Sequence, residues 1–128
     1  MAAWVPVGVV AGAIFFVSSL SSVPTVPVDY FDKVEHFSAY ALLAFLACRA
    51  FAATGMDARW GVVLASFYGL SDELHQAFVP GRSSDLFDWV ADTTGAVAAL
   101  FLYLRHTRRA PPSASAAGER AHVPVSRP

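Results

Sequence analysis

Residues 60–104 read WGVVLASFYGLSDELHQAFVPGRSSDLFDWVADTTGAVAALFLYL. Two apolar runs, 60–79 and 86–104, flank a polar segment, 80–85, that opens on a Pro-Gly pair. Each run has about the 20 residues a helix needs to cross a bilayer. Two further runs of similar length, 3–20 and 34–53, precede them, separated by a connector at 21–32 with Pro24 and Pro27 and by a turn at 54–59 with Gly55 and Asp57. A soluble four-helix bundle would carry charge on its outer face every three or four residues, whereas 39–47 and 96–104 contain none. The expected fold is all-α: a four-helix transmembrane bundle with short loops over residues 1–106. The Pro- and Ser-rich segment 107–128 is expected to be a disordered cytoplasmic tail.

Composition agrees with a bilayer as solvent. Of 128 residues, 55% are hydrophobic, and the net charge is −1. The nine Lys and Arg residues form no stripe able to follow a phosphate backbone, so nucleic acid is not an expected partner. Cys48 is the single cysteine, which excludes an intrachain disulfide and a cysteine-rich zinc site. Residues 3–20 could serve as a cleaved signal, since small residues follow at 18–22. No Lys or Arg precedes Lys33, however, and an uncleaved first helix is the preferred reading. With four spans the termini share a side, and seven of the nine basic residues fall on it, leaving Lys33 and Arg82 opposite. The positive-inside rule then predicts a multi-pass protein of the cell membrane with both termini cytoplasmic.

Ionisable residues lie within these spans: Asp72, Glu73 and His75 in the third, Asp88 and Asp92 in the fourth. A carboxylate at a helix centre disfavours insertion by roughly 2.5–3.5 kcal/mol, so such groups must be paired, neutralised or turned inward. Counting about 1.5 Å per residue from the outer end near Val79 puts Glu73 roughly 9 Å deep, and Asp92 lies at a similar depth. Glu73 and Gln76 are spaced i, i+3; Asp85, Asp88 and Asp92 form a stripe, as do Lys33, His36 and Tyr40. Ala91, Gly95 and Ala99 repeat every four residues, a spacing that lets helices approach closely in lipid. The expectation is one outward-opening polar pocket with Glu73 and Asp92 at its floor. Its ligand-binding candidates are Lys33, His36, Tyr40, Glu73, Gln76, Arg82, Asp88 and Asp92, with Glu73, Asp92 and His36 as candidates for catalysis. Asp72, His75 and Glu35 are assigned to other helix faces and rank second.

The same residues carry a resemblance. Asp32-Lys33-Val34-Glu35-His36-Phe37-Ser38-Ala39-Tyr40 is similar to the first motif of the VanZ-like family, and residues 68–82 with Asp88, Asp92 and Gly95 resemble its second. The likeness spans residues 15–104; the family often has Asn where this chain has Asp92. It implies an envelope-linked role in a bacterium, the family's name coming from an accessory protein of low-level glycopeptide resistance.

Each site residue also has a structural reading. Glu73 and Gln76 could form an interhelical clamp, Asp88 could interact with the positive start of the fourth helix, and Arg82 could be an interfacial cation. Arg82 in its loop is better placed as a bidentate partner of Glu73, Asp88 or an anionic head group. His36 could be satisfied by Tyr40, or act as a base or metal ligand. No His-x-x-x-His pair fixes two ligands on one helix, so neither metal nor cofactor is expected. A binding or accessory protein recognising a lipid head group or a cell-wall precursor ranks first. A membrane enzyme using Glu73, Asp92 and His36 for acid–base or hydrolytic work ranks second, and a small proton-linked transporter third.

Overall fold

The computed structural model describes residues 1–21 and 31–109. Among these the chain is all-helical: a 3-10 turn, Ala2–Trp4, leads into α1, Val5–Ser18, followed by α2, Phe31–Ala53, α3, Trp60–Gln76, and α4, Leu86–Arg109. Pro6 falls in the first turn of α1, where a missing N–H costs nothing. Between α2 and α3 the Asp57 carboxylate accepts the Arg59 backbone N–H at 2.8 Å and holds the turn. α4 runs to Arg109, past the expected domain boundary at 106. The rest of the predicted tail, 110–128, and residues 22–30 of the predicted connector lie outside the described residues.

Two helices, rather than the expected four, are long and apolar enough to cross a membrane: α2 with 23 residues and α4 with 24. α3 stops at 17 residues because the apolar run 60–79 does not end as helix. The N–H groups of Phe78 and Val79 turn to the His75 and Gln76 carbonyls in a tightened last turn, and Pro80 then has no N–H to continue it. α1 has 14 residues and closes at consecutive serines, where the Ser19 hydroxyl donates back to the Phe15 carbonyl at 2.7 Å.

α2 lies at the centre, against α4, α3 and α1. The interior is built from small side chains: Ala44, Ala47 and Ala50 of α2, Ala65 of α3, and Ala96 and Ala99 of α4 are buried, around Tyr40 and Leu43. Large apolar residues point the other way, with Phe16, Phe67, Phe78, Phe87, Phe101 and Leu102 exposed. In water that surface would be a liability; in lipid it is the ordinary arrangement, with small residues letting backbones meet. Gly95 marks the closest approach, since a Cβ there would strike the Phe37 carbonyl of α2. α3 and α4 are tied by the Ser66 and Thr93 hydroxyls, 2.8 Å apart, and by the Trp89 indole N–H donating to the Ser66 carbonyl at 3.1 Å. α1 is held by the Tyr68 hydroxyl, which donates to the Ala11 carbonyl at 2.7 Å, and by Trp4 edge-on to Phe51.

Candidate functional site

The polar residues gather where the start of α2, the end of α3 and the start of α4 meet. The outermost layer is a strap. Lys33 donates to Asp85 Oδ2 at 2.7 Å and to Asp88 Oδ1, so one ammonium joins the first turn of α2 to the entry and first turn of α4. Asp85 lies outside the helices, and the Lys33 hydrogen bond, helped by the Phe87 backbone N–H, holds its carboxyl below the usual carboxylate range.

One turn deeper, His36 Nδ1 lies 3.0 Å from Asp92 Oδ1, and Asp92 is fully buried. Gly69 of α3 makes room for that carboxylate: a Cβ there would sit 2.7 Å from Asp92 Oδ2. Glu73, 5% exposed, accepts the Asp85 backbone N–H at 2.8 Å and the Ser84 hydroxyl at 3.3 Å, both through Oε2. Its Oε1, like Asp92 Oδ2, is buried and has no hydrogen-bond partner among the described residues. Ligand-type atoms of His36, Glu73 and Asp92 all lie within 4.8 Å of one another.

On the other side of His36 a cavity of about 430 Å³ opens between α1, α2 and α3. Val10, Ala13, Ile14 and Val17 of α1 form its apolar wall; His36, Tyr40, Asp72, Gln76 and Arg82 bring polar groups to the opposite one. Gln76 Nε2 donates to Asp72 Oδ2 at 3.2 Å. Three buried atoms on this lining, Ser18 Oγ, Tyr40 OH and Arg82 Nε, have no partner among the described residues.

The expected single pocket is therefore two adjoining compartments that share His36. Lys33, Glu73, Asp88 and Asp92 belong to the packed cluster between α2, α3 and α4, while Tyr40, Gln76 and Arg82 line the cavity. Glu73 and Asp92 come together as expected of a floor, but neither lines the cavity. Of the partners expected for Arg82, neither Glu73 nor Asp88 pairs with it, and it forms no ion pair among the described residues, which leaves the anionic head group untested. The second rank also divides. Asp72 is buried and lines the cavity with Glu35, whereas His75 lies apart, bonded to Ser19 at 3.2 Å and packed on Phe15. Ser18 and Asp32, neither of them an expected binding residue, also reach the cavity. The usable signal for Asp72 was its i, i+4 spacing to Gln76.

The sequence model of the VanZ/LLP1 family matches residues 3–107. An uncharacterized protein of the fission yeast Schizosaccharomyces pombe is 38% identical over 93 residues, which cover 70% of this chain and 57% of that protein. The chain thus spans little more than half the length of that relative. A fungal relative means that the bacterial setting implied by the resemblance does not follow from likeness alone, and neither match speaks to antibiotic resistance. No solved structure matches the chain.

Proposed function

The chain belongs to the VanZ/LLP1 family, and from that premise we propose that it is a membrane-embedded binding or accessory protein that receives the head group of a lipid, or of a lipid-linked envelope precursor, in the cavity beside His36. The observation that carries this reading is the cavity's two-sided lining. Ser18, Tyr40 and Arg82 hold buried donor groups without partners among the described residues, and leaving such groups unmet costs about 1–3 kcal/mol each. A phosphate-bearing head group has the acceptor oxygens to meet them, with an acyl chain lying along Val10, Ile14 and Val17 of α1. The volume of about 430 Å³ is within the range of small-molecule sites. Asp72 and Glu35 on the same lining suit a head group that also carries hydroxyl or ammonium donors.

In this reading all four helices lie in the bilayer, α1 and α3 completing the bundle around the two longer ones, with the polar end outward and both termini cytoplasmic. The bias of basic residues supports that orientation. In a Cys48→Ala background, an impermeant thiol reagent on intact cells should label Ser83→Cys and not Thr54→Cys; the reverse pattern inverts the topology. Lipid-resolved native mass spectrometry of the full chain tests the ligand. Wild type should retain a phosphate-bearing lipid that Arg82→Gln and Tyr40→Phe release, and identical lipid profiles in all three would sink the reading. The 3.0 Å His36–Asp92 contact supports acid–base chemistry as a second reading. Conversion of the bound lipid, abolished by Asp92→Asn, would put that reading first.

A further inference from the structure

We propose that His36, Glu73 and Asp92 form a binding site for one divalent transition-metal ion, zinc being the best match to the donor set. Each ligand comes from a different helix, α2, α3 and α4 respectively, and together they offer one imidazole nitrogen and two carboxylate oxygens within 4.8 Å of one another. Zinc bonds of about 2.0–2.1 Å in tetrahedral geometry put neighbouring ligand atoms roughly 3.3–3.4 Å apart. The 3.0 Å between His36 Nδ1 and Asp92 Oδ1 is already close to that edge. Glu73 is fixed through Oε2 alone, by the Asp85 N–H and the Ser84 hydroxyl, so its side chain can turn Oε1 to complete the set.

Two observations besides the clustering point to a cation. Glu73 Oε1 and Asp92 Oδ2 are buried acceptors with no partner among the described residues, on side chains that are 5% and 0% exposed. The nearby ammonium is also committed elsewhere: Lys33 is shared by Asp85 and Asp88, and Arg82 pairs with neither Glu73 nor Asp92. Two buried carboxylates face one imidazole, which even when protonated balances only one of them, whereas a divalent ion balances both. Calcium wants six to eight oxygens and magnesium an octahedral shell rich in water, whereas a buried set with an imidazole suits zinc and its neighbours. The overlapping trio of Asp32, His36 and Asp88 is a poorer candidate, because Asp88 is already held by Lys33.

The test uses the full chain, purified in detergent without tag histidines, stripped with a chelator, reloaded with zinc and desalted. One zinc per chain should remain by elemental mass spectrometry, and cobalt in its place should give a visible d–d spectrum. Asp92→Asn and Glu73→Gln should each weaken zinc binding by more than the roughly 10–100-fold that loss of an outer-shell partner costs. Ser84→Ala should fall within that smaller range, and His75→Gln should change nothing. Wild-type chain that keeps its helical circular dichroism yet retains no zinc and gives no cobalt spectrum would overturn the proposal, whether or not the variants fold. Loss of zinc in His75→Gln, with retention in Asp92→Asn, would overturn it equally. Neither readout depends on a bound lipid, so this proposal and the head-group reading fail separately.

Discussion

The two compartments on either side of His36 are complementary in what they lack. Among the described residues the cavity has spare donors, at Ser18, Tyr40 and Arg82, and the packed cluster has spare acceptors, at Glu73 and Asp92. Had these groups stood in one pocket, Arg82 could have met Glu73 and both needs would have cancelled. The fold keeps them apart by putting Glu73 against the α4 entry while Arg82 lines the space beside α1. Unmet polar groups of opposite kind, kept from each other in a low-dielectric setting, add nothing to stability, and the two proposals above assign each set its own occupant.

The broadest way to break this picture is to part α2 from α4, because the cluster lies in that interface and the cavity shares His36 with it. Gly95→Leu forces a side chain into the Phe37 carbonyl, and backbone cannot yield as a side-chain tip can. The expected cost is about 3 kcal/mol or more, at the upper end of overpacking effects, read as loss of folded protein in thermal unfolding. A melting curve like that of wild type would show that the two helices are not in backbone contact.

Lys33→Met acts on the strap alone. Asp88 is buried and would lose its cation, but Lys33 itself is 31% exposed. The expected loss is about 1–3 kcal/mol, short of the 3–5 for breaking a fully buried pair. Acid lessens the difference between variant and wild type, because Asp85, held low by Lys33, contributes its share above the ordinary carboxylate range and gives it up as pH falls through its lowered pKa. Chemical denaturation at neutral and acid pH measures both effects.

Tyr40→Phe sharpens the comparison by its sign. The hydroxyl has no partner among the described residues, so removing it should be neutral or stabilising by up to about 1 kcal/mol while weakening ligand retention. A loss of stability would mean the hydroxyl is already satisfied. Arg82→Gln is the smallest in stability, within about 0.5 kcal/mol, because no ion pair among the described residues is lost. Retained lipid should nevertheless fall at least tenfold, and that separation of binding from folding distinguishes a ligand site from a structural one.

The four helices and the polar end were legible in the sequence because hydropathy and the position of carboxylates in apolar runs survive any detail of packing. Helix ends were less so. Ala77, Phe78 and Val79 read as a continuation of α3, but Pro80 and the tightened turn before it end the helix at Gln76. The division of the site was hidden for a geometric reason. At 3.6 residues per turn, Glu73 and Gln76 point about 60° apart and straddle α2, whereas Asp72 and Gln76 differ by about 40° and stay together. Spacing rules treat both pairs as one face. The clustering of His36 with Glu73 and Asp92 leaves no local motif at all, since each residue comes from a separate helix.

The alanine-built interior has a consequence for mutational tolerance. At Ala44, Ala47, Ala50, Ala65, Ala96 and Ala99 there is almost nothing to truncate, so the core has little capacity to be damaged by the large-to-small changes that disable most proteins. Its vulnerability runs in the opposite direction, toward added volume. In a saturation scan of folded yield, the buried positions should therefore rank substitutions by side-chain size before polarity. The exposed phenylalanines should rank them by polarity before size, so the tolerance profile alone would distinguish inside from outside.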